Sequence, residues 1–522
     1  VDVTIVGLIQ PDDELSQQAL SDLVLADIAT AQEIAGQPGL LTRIDLILPD
    51  GYDTRRIEAI LPPDLRLTTP SSNSGALSQM IDAFALNLRA LSLLALLVGV
   101  FLIYNTVTFS VVQRRSTIGI LRALGTTRRQ IFTMILAEAM TLGRKLADEL
   151  LERETRRHGR WPRQVAIILW AGETVRTDGV HAAMALAWMG MRLQYDANRR
   201  VVGVTPVPGA ELNRPRIDVL ITTSGACRDQ FGDLLQLLDR AQRQASRLND
   251  AENFIRRNTE ESAARLKAEG RSAAEIADWS TRRIFFPAPG TYGTRVNKLA
   301  GASGLWEKDD ELAALYQRSM ASSIDDRGEI GAAPAALAAN LTHVDAMFHS
   351  RSSNVYGVTD IDDMYQYFGG LSLAVRKNSG KAPGEYIVDQ RRKSAEKITA
   401  LDDFMAAELD SRLYNQGWIQ AMAAERYSGG KTLARMTDNL WGWQTVTPDN
   451  VSAADWTRLY EIYVKDRYQL NLKEFFADNA WAFQSMTGRM LEAVRKDYWN
   501  ADTATRQSLA AEYAQNVIRY GM

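Results

Sequence analysis

The chain has 522 residues, 46% of them apolar, a formal net charge of −3 and one cysteine. This length predicts roughly three or four domains, and a mean hydropathy of −0.21 is that of a globular protein rather than a polytopic transporter. The near-neutral charge predicts no nucleic-acid partner, and the single Cys227 excludes an internal disulfide or a multi-cysteine metal site.

The aromatic and titratable residues are unevenly distributed. All eleven tryptophans and all four histidines lie at or after His158, whereas the one long apolar run precedes residue 113. This contrast predicts two parts of different character, joined between Gly143 and Arg144. We therefore expect a membrane-protein fragment over residues 1–143 and a soluble α/β region after it.

The front of the chain begins with a small α+β pattern. Residues 3–9 and 44–48 alternate as strands do, and residues 20–34 carry apolar side chains at helical spacing. We expect a small α+β domain over residues 1–85.

An uncharged run follows, starting at Leu91 and continuing to Val112. Its 22 residues, at about 1.5 Å each, match a hydrocarbon core of about 30 Å. The run predicts one transmembrane helix, with a buried core helix as the alternative. An arginine cluster after it predicts a cytoplasmic side there, which places the N-terminus outside. The cluster comprises Arg114, Arg115, Arg122, Arg128 and Arg129.

Residues 84–143 carry a first family resemblance. The segments 112–115 (Val-Gln-Arg-Arg) and 118–125 (Ile-Gly-Ile-Leu-Arg-Ala-Leu-Gly) resemble the FtsX-like permeases of ABC transporters. The resemblance implies that residues 114–130, with the five arginines, dock on an ABC ATPase. Residues 131–142 would begin a second span but are too few to cross a bilayer. We therefore expect residues 86–143 to hold one span, the docking helix and a truncated second span, without transport activity.

The back of the chain predicts an α/β fold followed by a mainly helical region. Residues 164–170, 201–207 and 217–223 are typical of strands, and 180–191 and 229–248 of helices. This order favours a largely parallel sheet over 144–250, with a mainly helical region over 251–522. Ligands gather at the carboxyl ends of such strands, where residues 170–176 and 223–229 lie.

Six ordered segments of the back region carry a second resemblance. They are similar to the large subunit of class I chelatases, the family of cobaltochelatase and magnesium chelatase. The segments are residues 170–179 (Trp-Ala-Gly-Glu first), 214–219, 224–229, 287–293, 351–357 (Arg-Ser-Ser-Asn-Val-Tyr-Gly) and 362–370. The similarity extends over residues 144–522.

The chelatase resemblance implies insertion of a divalent metal into a tetrapyrrole, either a corrin or a porphyrin. The metal is a substrate, with Co²⁺ favoured by the form of segment 351–357 and Mg²⁺ as the other candidate. ATP would be bound by separate AAA+ subunits, because the Gly-Gly-Lys-Thr of residues 429–432 lacks the first glycine and the preceding strand of a phosphate-binding loop.

Chelatase chemistry needs groups for the macrocycle's carboxylates, for the metal and for the pyrrole protons. Arginine suits carboxylates because its guanidinium can donate two parallel hydrogen bonds. Asp and Glu suit metal and protons as oxygen ligands or bases. The predicted substrate-binding residues are Arg176, Arg216, Arg228, Tyr292, Arg351, Asn354, Tyr356, Tyr365, Gln366, Gly369 and Gly370. The predicted catalytic residues are Glu173, Asp229, Asp362 and Asp363, and the predicted metal ligands are His349 and Asp360.

Structural alternatives remain open for several of these residues. Arg216 and Asp218 could form a buried ion pair, residues 287–293 could be a rigid turn, and His349 could be a hydrogen-bonded structural residue. His158 and His181 are expected on solvated helix faces, and Cys227 in the core.

The sequence leaves more than one function open. Besides metal insertion, the chain could be a membrane-anchored permease fragment or an inactive composite of two fragments. A genuine fusion would be a single-span membrane protein with its chelatase-like part in the cytoplasm; without the fusion that part would also be cytoplasmic.

Overall fold

A computed structural model describes residues 26–41, 43–49, 52–67, 128–197, 201–325, 327–392 and 395–521. The chain divides into two compact units, residues 1–100 and 101–522. The predicted strand 3–9, the apolar run 91–112 and Arg114, Arg115 and Arg122 lie outside the described residues. Among the described residues of the first unit, the helices are Ile28–Ile34 and Arg55–Glu58.

The predicted strand at residues 44–48 is wrong. Residues 43–49 are described without strand structure, and Ile44 and Ile47 are exposed. No strand pairs with them among the described residues, so the alternation of side chains is not matched by a hydrogen-bonded ladder.

In the part of the second unit that the structure describes, there are one eight-stranded sheet and one two-stranded sheet. The main sheet has the order β10-β9-β8-β1-β4-β5-β6-β7, and β2 pairs with β3. The strands are β1 Gln164–Leu169, β2 Met191–Tyr195, β3 Val201–Pro206, β4 Asp218–Thr223, β5 Ile284–Phe286, β6 Ser322–Ile324, β7 Ile330–Ala332, β8 Val344–Arg351, β9 Gly384–Asp389 and β10 Lys397–Ala400. The five central strands β9, β8, β1, β4 and β5 are parallel, and the outer ones are antiparallel.

Helices cover both faces of the main sheet. Those up to residue 340 are Arg128–His158, Ala171–Arg176, Val180–Met189, Gly209–Leu212, Gly225–Gln230, Gly232–Ser246, Phe254–Ala268, Ala273–Trp279, Val296–Gly301, Asp309–Ser319 and Pro334–Asn340. Those after it are Asp362–Met364 with a π-turn Tyr365–Gly369, Gly370–Ser379, Leu401–Ser411, Gln416–Ala424, Tyr427–Val446, Ala453–Leu459 with a π-turn Tyr460–Val464, Leu472–Asp478, Ala480–Arg495 and Thr503–Tyr520. Short 3₁₀ turns lie at Ser303–Leu305 and Pro448–Asn450.

Strand β1 separates two apolar cores. Successive side chains of a strand point to opposite faces, and β1 is buried on both. Val165 and Ile167 belong to the core beneath the helices Val180–Met189 and Gly232–Ser246. Ala166 and Ile168 belong to the core shared with the C-terminal helices. The predicted α/β fold followed by a helical region is confirmed for this unit.

The main sheet extends well beyond the predicted boundary at residue 250. Strands β5 to β10 follow that boundary, so the sheet ends only at Ala400. Three of these strands, β5, β6 and β7, have three residues each, which is too short for a periodic signal. The predicted strand near 201–207 exists but pairs antiparallel with β2, outside the main sheet. The predicted helix 229–248 is interrupted at Phe231.

A single helix, Arg128–His158, runs across the expected junction at Gly143. Gly143 lies against the helix Val180–Met189, where an added Cβ would stand 2.6 Å from Ala183 Cβ. Ala139 and Leu146 are buried in the same core. The segment predicted to begin a second membrane span, residues 131–142, therefore packs on this core at its C-terminal end. Among the described residues, no helix is long and apolar enough to cross a membrane.

Candidate functional site

The carboxyl ends of the five parallel strands lie at one edge of the main sheet. In the sheet, β4 and β5 lie on one side of β1, and the later strands β8 and β9 lie on its other side. The strand order therefore reverses between β1 and β8, which is where open α/β sheets bind ligands. Segment 170–176 follows β1, and segment 352–357 follows β8.

The first cluster at this edge joins the ends of β1 and β8. Its members are Glu173, Arg176, Ser350, Ser352 and Tyr356. Glu173 Oε1 accepts hydrogen bonds from Arg176 Nη2 at 2.7 Å and from Ser352 Oγ at 2.8 Å. Glu173 Oε2 accepts one from Ser350 Oγ at 2.8 Å, and Arg176 also donates to the Tyr356 hydroxyl. The sequence thus brings Glu173, Arg176 and Tyr356 together.

The electrostatics of this cluster keep Glu173 ionised. Burial alone would raise the pKa of Glu173, whose side chain is 2% exposed, but the charge and hydrogen bond of Arg176 outweigh it. The pKa of Glu173 therefore lies below its usual range. Because both of its oxygens are occupied, this carboxylate holds Arg176 and the β8 loop rather than offering a free base.

The second cluster follows β4 and β5. Arg228 Nε donates to Asp229 Oδ1 at 2.7 Å, and Arg228 Nη1 donates to the Pro287 carbonyl at 2.6 Å. The Tyr292 hydroxyl lies 3.4 Å from Asp229 Oδ2, and the Tyr292 ring is largely exposed. The hydrogen bond from Arg228 lowers the pKa of Asp229. Segment 287–293 thus presents an exposed aromatic ring beside an ion pair.

Gln366 connects this loop to the helical layer. Its side-chain oxygen accepts from the Thr294 N–H at 3.0 Å, and its amide donates to Asp363 Oδ1 at 2.8 Å. Gly293 has φ of +82°, and an added Cβ would stand 3.2 Å from Gln366 Oε1. Gln366 therefore packs against the turn at Gly293 and bonds its backbone.

Asp363 is the carboxyl of the second cluster best suited to accept a proton. Partial burial raises its pKa, and the adjacent charge of Asp362 raises it further, while its residue stays exposed to solvent. Asp362 accepts a hydrogen bond from Asn297 at 2.5 Å. A general base works best when its pKa lies nearer to the operating pH.

Trp170, the first residue after β1, lies between the two clusters. Its ring centroid is 4.4 Å from that of His349 and 6.3 Å from that of Tyr367. Tyr367 in turn accepts a hydrogen bond from the Gly293 N–H at 3.1 Å. Trp170 therefore contacts His349 of β8 and also Tyr367, whose hydroxyl is bonded to loop 287–293.

The assignment of His349 and Asp360 as metal ligands stays a prediction. Within the described ranges, no group of three or more His, Cys, Asp or Glu residues is arranged to hold a metal ion. His349 is buried, which lowers its pKa to about 4. Asp360 is occupied by Arg412 and by the Gly357 N–H.

Comparison with known proteins identifies the back region. The family profile described as CobN/Magnesium Chelatase matches residues 136–506. The chain belongs to this family. It is 32% identical over 365 residues to the aerobic cobaltochelatase subunit CobN of Sinorhizobium sp, covering 69% of this chain and 28% of that protein. It is 31% identical over 382 residues to the large (H) magnesium-chelatase protein of Cereibacter sphaeroides, covering 72% and 31%.

A solved structure shows the same fold. The catalytic subunit of cobaltochelatase from Mycobacterium tuberculosis superposes with a TM-score of 0.67 at 30% identity, over 72% of this chain and 32% of that one. The chain thus spans about a third or less of the length of these chelatase relatives.

The front region matches a different family. The profile of the FtsX-like permease C-terminal region matches residues 89–144. An uncharacterized ABC transporter permease protein of Mycobacterium tuberculosis is 55% identical over 141 residues, which is 27% of this chain and 16% of that protein. Both predicted resemblances are therefore confirmed.

Some predicted residues of the chelatase-family region lie away from the carboxyl edge. Arg216 precedes β4 at its amino end, fully buried, and its Nη2 pairs with Asp250 Oδ2 at 3.0 Å. The alternative of an Arg216–Asp218 ion pair is wrong, because Asp218 pairs with Arg283 at 3.0 Å. The amino end of β4 faces away from the two clusters.

Other predicted substrate contacts are buried among helices. Tyr365 packs on Trp443 at a centroid distance of 6.4 Å, and an added Cβ at Gly369 or Gly370 would collide with Val446 or Tyr316. These residues shape the helical core of the chelatase-family region. Asn354 is exposed at the tip of the β8 loop.

The expectation that His181 lies on a solvated face is wrong. It is buried, and its Nε2 lies 2.6 Å from Gln390 Oε1. The helix Val180–Met189 is apolar on all sides and lies under the helix Arg128–His158, so it has no solvated face.

The structure adds site residues that the sequence did not single out. Ser350 and Ser352 hold Glu173, and Glu408 pairs with Arg351 at 2.8 Å. Ser352 lies within the chelatase segment 351–357 and Ser350 directly precedes it, which is a usable signal. Glu408 lies in a helix with no such motif.

Proposed function

We propose that the chelatase-family region holds a tetrapyrrole at the carboxyl edge of the main sheet and takes part in inserting a divalent metal into it. The observation that carries this proposal is the pair of side-chain clusters at the carboxyl edge of the main sheet, the first of which lies where the strand order reverses. Cobalt is favoured over magnesium by the Arg-Ser-Ser-Asn-Val-Tyr-Gly form of segment 351–357.

The chemistry available at the edge fits such a substrate. The exposed Tyr292 and Val355 offer apolar surface for a planar macrocycle, whose carboxylates Arg176 can reach with charge-assisted hydrogen bonds. Asp363 would accept a proton released from a pyrrole nitrogen when the metal binds. Asp229 and Asp362 are oxygen donors near the same loop.

ATP is assigned to AAA+ partner subunits rather than to this chain. Residues 429–432 lie inside the helix Tyr427–Val446, not in a loop after a strand. An added Cβ at Gly429 would stand 1.7 Å from the Met422 carbonyl oxygen, so the position is closed by packing. This geometry does not supply the backbone cradle of a phosphate-binding loop.

The test combines binding and turnover. The purified chain is titrated with deuteroporphyrin IX, a soluble dicarboxylate porphyrin, while tryptophan emission is recorded. Co²⁺ or Mg²⁺ insertion is then followed by absorbance with ATP, AAA+ chelatase subunits and a polypeptide supplying the front part of a chelatase large subunit. Saturable quenching followed by metal insertion supports the proposal, and absence of quenching overturns it.

A second function rests on the permease match. We propose that residues 86–143 anchor the chain in a membrane through residues 91–112 and dock on an ABC ATPase through the arginines near 114–130, with the chelatase-family region in the cytoplasm. The 55% identity to part of a permease protein supports this.

Co-purification tests this second function. We expect an ABC ATPase to co-purify with the wild type and to be lost from the double variant Arg114→Glu with Arg115→Glu. Absence of any such ATPase would favour an inactive composite.

A further inference from the structure

The loop of residues 352–358 is fixed at both ends by one buried carboxylate. At the start, Arg351 Nη1 donates to Glu408 Oε2 at 2.8 Å. At the end, the Thr359 hydroxyl and N–H lie 3.3 and 3.4 Å from Glu408 Oε1. Glu408 is 5% exposed and Arg351 4% exposed. Glu408 therefore bridges the two ends of the loop from the helix Leu401–Ser411.

A second carboxylate completes the arrangement. Asp360 accepts hydrogen bonds from the Gly357 N–H and from Arg412, and Arg412 Nη1 also lies 3.6 Å from Glu408 Oε1. An added Cβ at Gly357 would stand 1.6 Å from Glu408 Oε1. Only a residue without a side chain lets the loop approach Glu408 this closely. The two acids and two arginines define a four-charge cluster: Arg351, Asp360, Glu408 and Arg412.

The middle of the loop reaches the first cluster of the candidate site. Ser352 Oγ accepts from Arg176 Nε at 2.9 Å, and the Tyr356 hydroxyl accepts from the same guanidinium. The position of Arg176 therefore depends on the loop, and the loop depends on the four-charge cluster. Phe404, one turn before Glu408, lies under the Arg351 guanidinium at 5.2 Å from its ring centroid.

We propose that Glu408 is a positioning residue of the site: with Arg351, it sets the shape of loop 352–358 and thereby the orientation of Arg176. Arg351 then contributes by holding the loop, not by touching substrate. The role in orienting Arg176 toward a macrocycle rests on the proposed function, whereas the control of the loop by Glu408 does not.

Hydrogen–deuterium exchange on the full chain without ligand tests the control of the loop. Glu408→Gln keeps the side-chain shape but removes the charge that Arg351 and Arg412 require. We expect exchange in residues 352–358 and 171–176 to rise about tenfold, because the loop opens more often. Unchanged exchange in residues 352–358 would overturn the inference.

Asp239→Asn provides the matched control. Asp239 is also buried, also pairs with an arginine at 2.7 Å, and lies in the helix Gly232–Ser246 on the opposite face of the sheet. A general loss of stability would raise exchange in the loop in both variants, which would contradict a specific role. We expect Asp239→Asn to leave residues 352–358 at the wild-type rate.

A second variant changes the contact between Glu408 and loop 352–358 by a substitution in the loop. Gly357→Ala pushes on Glu408 without removing a charge, so it remains informative if Glu408→Gln does not fold. We expect the same local rise in exchange, and a wild-type pattern would contradict the inference.

Binding of deuteroporphyrin IX separates the two claims. If the wild type quenches and Glu408→Gln weakens binding with faster loop exchange, both claims stand. If the wild type does not quench but Glu408→Gln still loosens the loop, the proposed function fails and the positioning role of Glu408 on the loop is retained.

Discussion

At the residue scale, Glu173 shows that a buried carboxylate paired with an arginine can have a structural role. It lies in a segment whose position after β1 predicts a catalytic acid or base. The structure surrounds it with Arg176, Ser350 and Ser352, all donating to it. A buried carboxylate that accepts hydrogen bonds on both oxygens stabilises the local geometry, and its removal leaves an arginine without its counter-charge.

Glu173→Gln is therefore expected to lower the free energy of unfolding at pH 7 by about 3 kcal/mol. The pKa of Glu173 is lower in the folded protein than the unfolded value near 4.3. The contribution of ionised Glu173 to the free energy of unfolding is therefore complete above about pH 4.3, and it is lost as the pH falls through the pKa of the folded protein. Urea unfolding at pH 7 and at pH 3 measures this; an equal difference between variant and wild type at both pH values would contradict it.

For Asp363 we expect the opposite effect of ionisation on stability from that at Glu173. Its raised pKa means that the ionised form costs stability above the unfolded value near 3.9. Asp363→Asn keeps the hydrogen bond from Gln366 and should leave the Tm at pH 7 unchanged or higher. Metal insertion should fall about 10²-fold, because a proton acceptor is lost. Unchanged insertion in the absorbance assay would remove Asp363 from the reaction.

At the element scale, the helix Arg128–His158 shows that family boundaries and structural boundaries differ. The permease match ends at residue 144, whereas the helix continues for another fourteen residues and packs along its length from Ala139. Trp188 Nε1 donates to the Ala147 carbonyl at 3.0 Å, which fixes the register of the two helices. The α/β unit thus includes residues from before the expected junction.

Gly143→Ala tests this packing. The new Cβ would meet Ala183 Cβ at 2.6 Å and the Val180 carbonyl oxygen at 2.9 Å, and backbone cannot move aside freely. Despite the better helix propensity of alanine, we expect a loss of about 1–3 kcal/mol, seen as a lower Tm. Gly232→Ala, which has open space around it, is the control and should not lower the Tm. Equal melting of both variants would show that the helix does not pack here.

The sequence predicts a helix or strand well where the local pattern of apolar residues is sufficient to identify it. Strand β1 carries five consecutive apolar residues after Gln164, and β4 carries Val219, Leu220 and Ile221 followed by two threonines, so both are recognisable as buried parallel strands. Strands β5, β6 and β7 could not be recognised, since a three-residue strand depends on partners distant in sequence. The same non-local pairing explains why residues 43–49 alternate without forming a strand.

At the scale of the whole molecule, the site was predictable in position but not in detail. Placing Arg176, Arg228 and Tyr292 at strand ends required only the parallel topology. Arg216 lies at the opposite edge of the sheet because it precedes β4, and this could be recognised only once the start of β4 was known. The four-charge cluster could not be predicted, because Glu408 meets Arg351 across 57 positions of sequence.

We propose that the carboxyl edge of the main sheet binds a tetrapyrrole. The most direct measurement is the Kd of deuteroporphyrin IX, from tryptophan quenching, for Arg176→Ala and Arg163→Ala. Arg163 is a half-buried arginine that precedes β1 at the opposite edge and bonds Glu261 at 2.7 Å. We predict a Kd about tenfold or more weaker for Arg176→Ala and unchanged for Arg163→Ala. Equal Kd values for both variants would contradict the account.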